Sequence, residues 1–347
     1  MVPDGKGFRW ILFHWNPFLF AWREIFMKAI VVEEIGSFSI RDMDTPVPGA
    51  AEVLIRVSVT GLCRTDLKII RAGHRDLILP RVPGEEVVGV ITKAGPEVKR
   101  FREGQRVYVY PGTSCGNCEQ CVSGAGNLCE GMKIMGFHRD GGFAEYVLAP
   151  EASIILVPEN ISDEEAVLSE PLSCCLNALE RARLKPGERI GIWGAGPAGT
   201  LLNRAAAGLG AIPYSVEPDE RRRALIGGFA SPPIKGFDAA VVAVGSADAY
   251  LQAIRHLRPR GRLVVFSGLP RDAAELPVDF NRLHYFEQTL VGAYGCSFRH
   301  GERALVMLSE GSITVRDMIS HRMSLWELDK ALGLVEERAG MKILLFP

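Results

Sequence analysis

Between residue 27 and about residue 150, short apolar runs alternate with turns rich in glycine and proline, a pattern typical of β-strands. The first run begins abruptly at residues 27–32. Further runs, rich in valine, isoleucine and tyrosine, occupy 52–59, 87–91 and 106–110. This rhythm predicts a compact β-rich domain.

The pattern changes between about residue 162 and residue 295, where apolar runs alternate with helical stretches. The apolar runs, each short enough for one buried strand, occupy 189–193, 211–216, 239–244 and 262–266. Such alternation predicts βαβ units and a parallel sheet. The tail, 313–347, returns to strands and short helices, and we expect it to complete the first domain.

The first 26 residues fit neither pattern. They are crowded with aromatic side chains but interrupted by polar and charged residues. The segment is too polar for a membrane span and lacks the small-residue cleavage site of a secretory signal. We expect an extension outside the fold, and an interfacial anchor or a partner-binding arm stays open.

Composition narrows the function classes. The 347 residues carry a formal net charge of -1, so the chain lacks the basic character of nucleic-acid or anionic-membrane binders. A length of 347 residues suits two domains of ordinary size. The expected partner is therefore a small molecule rather than a nucleic acid or a membrane.

Four cysteines form the most specific motif of the chain. Cys115, Cys118, Cys121 and Cys129 follow the spacing C-x2-C-x2-C-x7-C, which allows four thiolates to surround one zinc ion. A closed tetrathiolate site is structural, because no coordination position is left for a substrate. The alternatives are unpaired thiols or two disulfides, but nothing else indicates an oxidising compartment, so we expect a cytoplasmic protein.

A glycine-rich turn predicts a dinucleotide site. Gly194, Gly196 and Gly199, with Pro197 and Ala198 between them, fit G-x-G-x-x-G directly after a predicted strand and before a helix over 200–207. The glycines permit a tight turn and close approach to a pyrophosphate, and the helix N-terminus favours the anion.

The next predicted strand ends at Glu217, where a carboxylate suits the ribose hydroxyls and repels a 2'-phosphate. The expected cofactor is therefore NAD. NADP stays open, because Arg222 and its neighbours Arg221 and Arg223 could bind the additional phosphate.

The cysteine motif inside a β-rich domain, followed by a dinucleotide fold, resembles the zinc-dependent medium-chain dehydrogenases, which include alcohol, sorbitol and threonine dehydrogenases. The resemblance spans residues 27–347 and is strengthened by GLCRTDLK at 61–68, PGEE at 83–86, DGGFAEY at 140–146 and SEPL at 169–172.

The resemblance implies an α/β protein with two domains. A GroES-like catalytic domain would comprise 27–155 and 296–347, with the zinc lobe at 111–131, and a doubly wound Rossmann domain would comprise 156–295. It also implies hydride transfer between NAD(P) and a secondary alcohol, a polyol or a hydroxy-amino acid, assisted by a catalytic metal ion, in a homodimer or homotetramer.

The resemblance further assigns roles by motif. Cys63 would be the first ligand of the catalytic metal, and Thr65 would accept the substrate proton. Lys68 stands where many members have a relay histidine. Glu86 would be a ligand or lie beside the metal, and Glu170 would supply or support the last ligand position.

One departure from the family affects the metal. Where the family has Gly-His-Glu, this chain has Gly84-Glu85-Glu86, so a carboxylate replaces the usual histidine ligand. Cys63, Glu85 and Glu170 would bring three negative charges to the ion, which weakens it as a Lewis acid and favours a harder metal.

Two alternatives to that ligand set stay open, namely His74 as the replacement ligand and loss of the catalytic metal. The runner-up function is accordingly a nucleotide-binding protein whose alcohol chemistry is impaired or lost. A metal-free quinone-type reductase agrees poorly with the zinc lobe. Cys174 and Cys175 are expected to be buried packing residues. Cys296 is also expected to pack in the core, and a position lining the cofactor cleft stays open for it.

A second departure shortens the dinucleotide domain. Only 21 residues separate Glu217 from the strand near Asp238, and the segment 227–233 has little tendency to form a helix. We therefore expect a sheet trimmed by about one strand-helix unit, with a more open cofactor pocket.

Overall fold

The computed structural model describes residues 26–270 and 273–347. The predicted N-terminal extension lies outside the described residues, apart from Phe26, which begins the first strand. None of the helices in the described ranges is both long enough and apolar enough to cross a membrane.

In the described ranges, nine strands precede the dinucleotide fold. They are β1 (Phe26–Val31), β2 (Ser39–Asp44), β3 (Glu52–Leu62), β4 (Glu86–Ala94), β5 (Arg106–Val109), β6 (Gly112–Thr113), β7 (Lys133–Ile134), β8 (Tyr146–Pro150) and β9 (Ile154–Leu156). Five more follow, namely β10 (Arg189–Trp193), β11 (Ile212–Val216), β12 (Phe237–Val242), β13 (Leu257–Val265) and β14 (Thr289–Gly292), and the last two are β15 (Ile319–Ser324) and β16 (Lys342–Phe346).

Among the residues that the structure describes, ten α-helices connect these strands. They are α1 (Arg64–Ala72), α2 (Glu119–Val122), α3 (Asp163–Ala166), α4 (Ser169–Arg181), α5 (Pro197–Gly208), α6 (Glu220–Ile226), α7 (Ala247–Arg255), α8 (Phe280–Phe286), α9 (Phe298–Ser309) and α10 (Leu328–Glu336).

A seven-stranded sheet organises the β-rich part of the chain. Six of its strands follow the order β15-β16-β3-β4-β5-β9, and the seventh, β8, pairs with β3. Strand β3 pairs along one edge with β4 and along the other with both β8 and β16. Because β15 and β16 come from the C-terminal tail, the tail completes this sheet, as the sequence pattern predicts. The domain limits at 155 and 296 stay a prediction.

A five-stranded parallel sheet forms the second unit in the order β11-β10-β12-β13-β14. All six residues of β12 are buried, as expected for a central parallel strand covered on both faces. Beyond β11, only an isolated parallel bridge between Val216 and Phe229 continues the pairing. This short segment follows α6 at the position where the sequence predicts trimming, and its left-handed Gly227 ends that helix.

The largest apolar core joins the two sheets. It includes Val59 and Tyr108 from the first sheet, Leu172 and Leu176 from α4, and Ile190 from β10, all at most 1% exposed. Helices α4 and α9 supply much of this shared core, so side chains at the start of α4 are held between the sheets.

Candidate active site

The four-cysteine lobe is built to hold one zinc ion. All four sulfur atoms lie within 4.8 Å of one another, with separations of 3.5 Å for Cys118–Cys121, 3.5 Å for Cys129–Cys115 and 3.9 Å for Cys115–Cys121. Four sulfurs at about 2.3 Å from a central zinc ion would be about 3.8 Å apart in a tetrahedron. The observed spacing fits that geometry, and all four thiols are free.

Backbone N–H groups inside the lobe also favour thiolates. The N–H of Cys121 lowers the pKa of Cys118 to about 6, and the Cys115 N–H is 3.3 Å from the sulfur of Cys129. The short strands β6 and β7 close the base of the lobe.

The glycine-rich turn joins β10 to α5. Gly194 has a φ of 103°, a conformation that favours glycine, and a Cβ on Gly199 would overlap the Gly194 carbonyl oxygen. Pro197 occupies the first helical turn, where its missing N–H costs little. The turn therefore leaves backbone amides at the N-terminus of α5 facing a space that suits a pyrophosphate.

Glu217 lies at the carboxyl end of β11, beside this turn. One carboxylate oxygen accepts the Ala195 N–H at 2.8 Å and the other accepts the Asp219 N–H at 3.0 Å. Arg223 donates to the backbone carbonyls of Glu217 and Pro218. The guanidinium of Arg222 instead lies 3.3 Å from the position of a Cβ on Gly196, so it is the arginine that faces the turn.

Cys63 precedes α1 and contacts two residues of its first turn. Its sulfur is 3.5 Å from Thr65 Oγ1, and its N–H donates to Asp66 Oδ2 at 2.9 Å. Burial raises the pKa of Cys63 to about 12 and that of Asp66 to about 7, and Glu86 adds to both increases. Lys68 is exposed further along the same helix.

Glu86 begins β4 and forms a buried ion pair with Lys342 of β16. Lys342 also donates to the Leu62 carbonyl at 3.2 Å. Burial, the largest single effect, would lower the pKa of Lys342, but Glu86, Cys63 and Glu170 together outweigh burial and raise it. Glu86 is therefore held by an internal cation.

Glu170 and Cys174 lie one turn apart on α4, with the Oε1 atom 3.6 Å from the sulfur. Together with Cys296, which follows β14, they form a group whose donor atoms all lie within 4.8 Å of one another. Burial raises the pKa of Glu170 to about 8, Glu86 adds to the increase, and Lys342 opposes it. Cys175, the next residue, points instead to the Ala198 carbonyl at 3.5 Å.

The loop that carries Cys296 is held in place by three side chains. Asn127 donates to the Tyr294 carbonyl at 2.8 Å, Asn177 donates to the Gly295 carbonyl at 2.8 Å, and Tyr110 donates to the Cys296 carbonyl at 2.7 Å. Because Asn127 belongs to the zinc lobe, the lobe braces this loop.

Glu85 lies near the group of Glu170, Cys174 and Cys296. Burial raises its pKa well above the usual range, with Glu170, Asp66, Glu86 and Cys296 adding to the effect in that order. The sequence predicts a metal set of Cys63, Glu85, Glu86 and Glu170. In the described part of the chain, no three of these residues bring donor atoms within 4.8 Å of one another, so that set stays a prediction.

His74 also lies apart from the metal-capable groups of the described residues. Its Nδ1 accepts the Asp76 N–H at 3.2 Å, and its ring packs edge-on against Phe137.

Sequence reasoning missed four positions of this candidate site. Asp66 and Lys342 were not assigned a role, Cys174 was expected to pack, and for Cys296 packing was preferred over a place in the cofactor cleft. The four-residue spacing of Glu170 and Cys174 within a predicted helix was the available signal for one pair. No local signal connects Cys296 or Lys342 to the others.

Comparison with known proteins agrees with this architecture. Residues 49–159 match the alcohol dehydrogenase GroES-like domain. The chain is 30% identical to sorbitol dehydrogenase of Bacillus subtilis, over 92% of this chain and 97% of that protein. It is 32% identical to L-threonine 3-dehydrogenase of Pyrococcus furiosus, over 81% and 86% of the two chains. The chain belongs to the zinc-type medium-chain dehydrogenase superfamily.

A solved medium-chain relative has the same arrangement. The zinc-binding dehydrogenase from Sinorhizobium meliloti, bound to NADP, superposes with a TM-score of 0.87 at 29% identity and covers 93% of this chain and 99% of its own. An alcohol dehydrogenase from Escherichia coli complexed with NADH gives a TM-score of 0.86 at 26% identity, covering 93% and 99%. The predicted GroES-like and Rossmann fold class is thus confirmed.

Proposed function

We propose that this chain is an NAD(P)-dependent dehydrogenase acting on a secondary alcohol, a polyol or a hydroxy-amino acid. One structural relationship carries the proposal. Helix α4 holds Glu170 and Cys174 in the cleft, and Cys175 of the same helix contacts Ala198 in the glycine-rich turn at 3.5 Å. The polar cluster and the nucleotide turn are therefore directly connected.

The turn fits the nucleotide. Glycine at 199 leaves open the space that a Cβ would fill, and Gly194 to Gly199 would hold the pyrophosphate at the N-terminus of α5. When bound, the nicotinamide ring accepts the hydride from the substrate carbon.

Glu217 favours NAD over NADP. Its carboxylate would receive the ribose hydroxyls and repel a 2'-phosphate. Relatives are described with either NADP or NADH bound, so the family itself supports both cofactors. Arg222 faces the turn and would contact the phosphates of either one.

The names of the relatives indicate the substrate class. Sorbitol dehydrogenase and L-threonine 3-dehydrogenase act on a polyol and on a hydroxy-amino acid, respectively. The polar lining supplied by Glu85, Glu170 and Thr65 suits substrates with several hydroxyl groups.

Oxidation of an alcohol releases a proton as well as a hydride. The Thr65 hydroxyl, next to Cys63, would accept that proton while it passes its own proton to the ribose of the bound cofactor, and from there the proton reaches water. Lys68 is exposed one turn later, where many members of the family have a relay histidine. The metal set of Cys63, Glu85, Glu86 and Glu170 stays a prediction, and the proton path proposed here uses only side chains of this chain and the bound cofactor.

The test measures reduction of NAD and NADP with polyols, simple secondary alcohols and hydroxy-amino acids. Reduction by at least one class is expected, with NAD preferred. The Gly199→Ala variant should lose activity because its Cβ overlaps Gly194. Gly333→Ala in α10 is the control, since nothing lies within 4 Å of the added Cβ. Nucleotide binding without reduction by any class would favour the runner-up, a nucleotide-binding protein without alcohol chemistry.

A further inference from the structure

The cluster of Glu170, Cys174 and Cys296 has the donor geometry of a metal site. The carboxylate and the Cys174 thiol are 3.6 Å apart, and all three donor atoms lie within 4.8 Å of one another. Ligands at about 2.3 Å for sulfur and about 2.1 Å for oxygen give an oxygen–sulfur edge of about 3.6 Å around tetrahedral zinc. The distance between Glu170 and Cys174 therefore matches that edge.

Each donor is held by the fold rather than by a flexible chain. Glu170 and Cys174 share one face of α4, where residues four apart are neighbours. The backbone at Cys296 is fixed by Tyr110 and Asn177, and Ser173 Oγ lies 3.0 Å from its sulfur. Such preorganisation means that an ion would bind without rearrangement of the loop.

The ionisable groups around the cluster are mostly acidic. Glu85 lies near Asp66, Glu86 and the cluster, while the nearby cation, Lys342, is already paired with Glu86. Buried carboxylates and thiolates are costly unless they are paired or coordinate a metal. A divalent ion between Glu170 and the two thiols would supply the missing positive charge.

We propose that Glu170, Cys174 and Cys296 bind a thiophilic divalent ion such as zinc, in place of the set centred on Cys63. Two thiolates and one carboxylate are donors that zinc accepts. The two thiol protons, together with the carboxyl proton of a protonated Glu170, leave to solvent when the ion binds. Three protein ligands leave a fourth position open for a substrate oxygen. This last role rests on the proposed dehydrogenase function, whereas the binding of the ion does not.

The structure explains why the ion would shift along the cleft. Glu86 is bound to Lys342, and Glu85 does not combine with Cys63 and Glu170 into a compact group among the described residues. Glu170 is common to both arrangements, so the shift exchanges Cys63 and Glu85 for Cys174 and Cys296.

Zinc content of the purified full chain tests the site without any substrate. Wild type should contain about two zinc ions per chain, one in the four-cysteine lobe and one in the cluster. Cys174→Ser and Cys296→Ser should each retain about one, as a three-ligand site that loses a thiolate binds zinc weakly. Cys175→Ser removes the adjacent thiol of the same helix and should retain both. Circular dichroism and nucleotide titration establish that each variant is folded.

Cobalt substitution gives a second readout on wild type alone, should a variant fail to fold. Cobalt bound at the cluster should give a thiolate-to-cobalt charge-transfer band with the intensity of two thiolates. The contribution of cobalt that has replaced zinc in the four-cysteine lobe is calculated from the zinc released there and subtracted. A one-thiolate band would place the ion at Cys63 and overturn the proposal. The proposal would also be overturned if Cys63→Ser lost the second zinc ion while Cys174→Ser and Cys296→Ser retained it.

A wild-type protein with zinc only in the lobe would also overturn the proposal, whatever its activity. Conversely, a second ion lost in Cys174→Ser would support the site even if no alcohol were oxidised. Failure of the metal site and failure of the proposed function are thus distinguishable.

Discussion

Lys342 and Glu86 form a buried ion pair although 256 positions separate them in the sequence. Lys342 is 3% exposed and Glu86 is 1% exposed. The pair passes over Gly61 of β3, where a Cβ would overlap a carboxylate oxygen of Glu86. The buried ion pair therefore has room only because residue 61 is a glycine.

Lys342→Met should destabilise the fold strongly, by about 3–5 kcal/mol, because Glu86 would stay buried without its cation. Urea unfolding measures the loss. Adding Glu86→Gln to the same chain should recover part of it, since the buried charge is then removed. The matched control is Arg71→Met, which breaks a largely exposed pair with Glu336 and should cost about 1 kcal/mol or less. Equal losses in the two single variants would contradict the argument.

Cys118→Ser should remove about one zinc ion per chain, because three thiolates no longer close the tetrahedral site. Alcohol oxidation should also decrease, since Asn127 of the lobe holds the Tyr294 carbonyl and thereby the loop of Cys296. Metal analysis and initial rates are the two measurements. Ser123→Ala changes an exposed hydroxyl of the same lobe and should alter neither. Full zinc content in Cys118→Ser, or disulfides in the reduced protein, would count against a zinc lobe.

Glu217→Gln should relax the preference for NAD, because a neutral amide no longer repels the 2'-phosphate. We expect the ratio of dissociation constants to move toward NADP by about tenfold, which is about 1.4 kcal/mol. Fluorescence titration with both cofactors measures it. Arg222→Leu should weaken both cofactors, as its guanidinium faces the turn. Tighter binding of NADP than NAD by the wild type would show that this assignment is wrong.

His300 should make the fold sensitive to acid. Burial lowers its pKa, with partial opposition from Glu180, whose carboxylate lies 3.2 Å from Nε2. In the unfolded chain a histidine has a pKa of about 6.5, so below that pH the unfolded state binds a proton that the folded state resists. Stability should therefore be complete above about pH 6.5 and fall as the pH decreases, by at most about 1.4 kcal/mol per pH unit.

Urea unfolding of wild type and His300→Gln across this range measures the effect. The free energy of unfolding should depend less on pH in the variant than in the wild type. The exposed His284→Gln is the matched control and should follow the wild-type curve. Parallel curves for wild type and His300→Gln would exclude His300 as the source of the slope.

Much of the fold could be predicted from short stretches of sequence. The four cysteines lie within fifteen residues, so their spacing alone indicates a closed zinc lobe. The glycine-rich turn depends on backbone geometry over six residues, and the structure shows the tight turn and the helix that the motif predicts. The short interval after Glu217 similarly predicted a trimmed sheet, and five parallel strands are found.

The candidate site was only partly predictable. Glu170 and Cys174 are four residues apart in a helix, so their proximity follows from helical geometry. Cys296 and Lys342 reach the cleft from β14 and β16, and nothing near them in sequence indicates their neighbours. The sequence by itself determined which residue types and local turns are available. Only the tertiary structure decided which donors meet, because strand order and the packing of α4 between the two sheets set the direction and burial of each side chain.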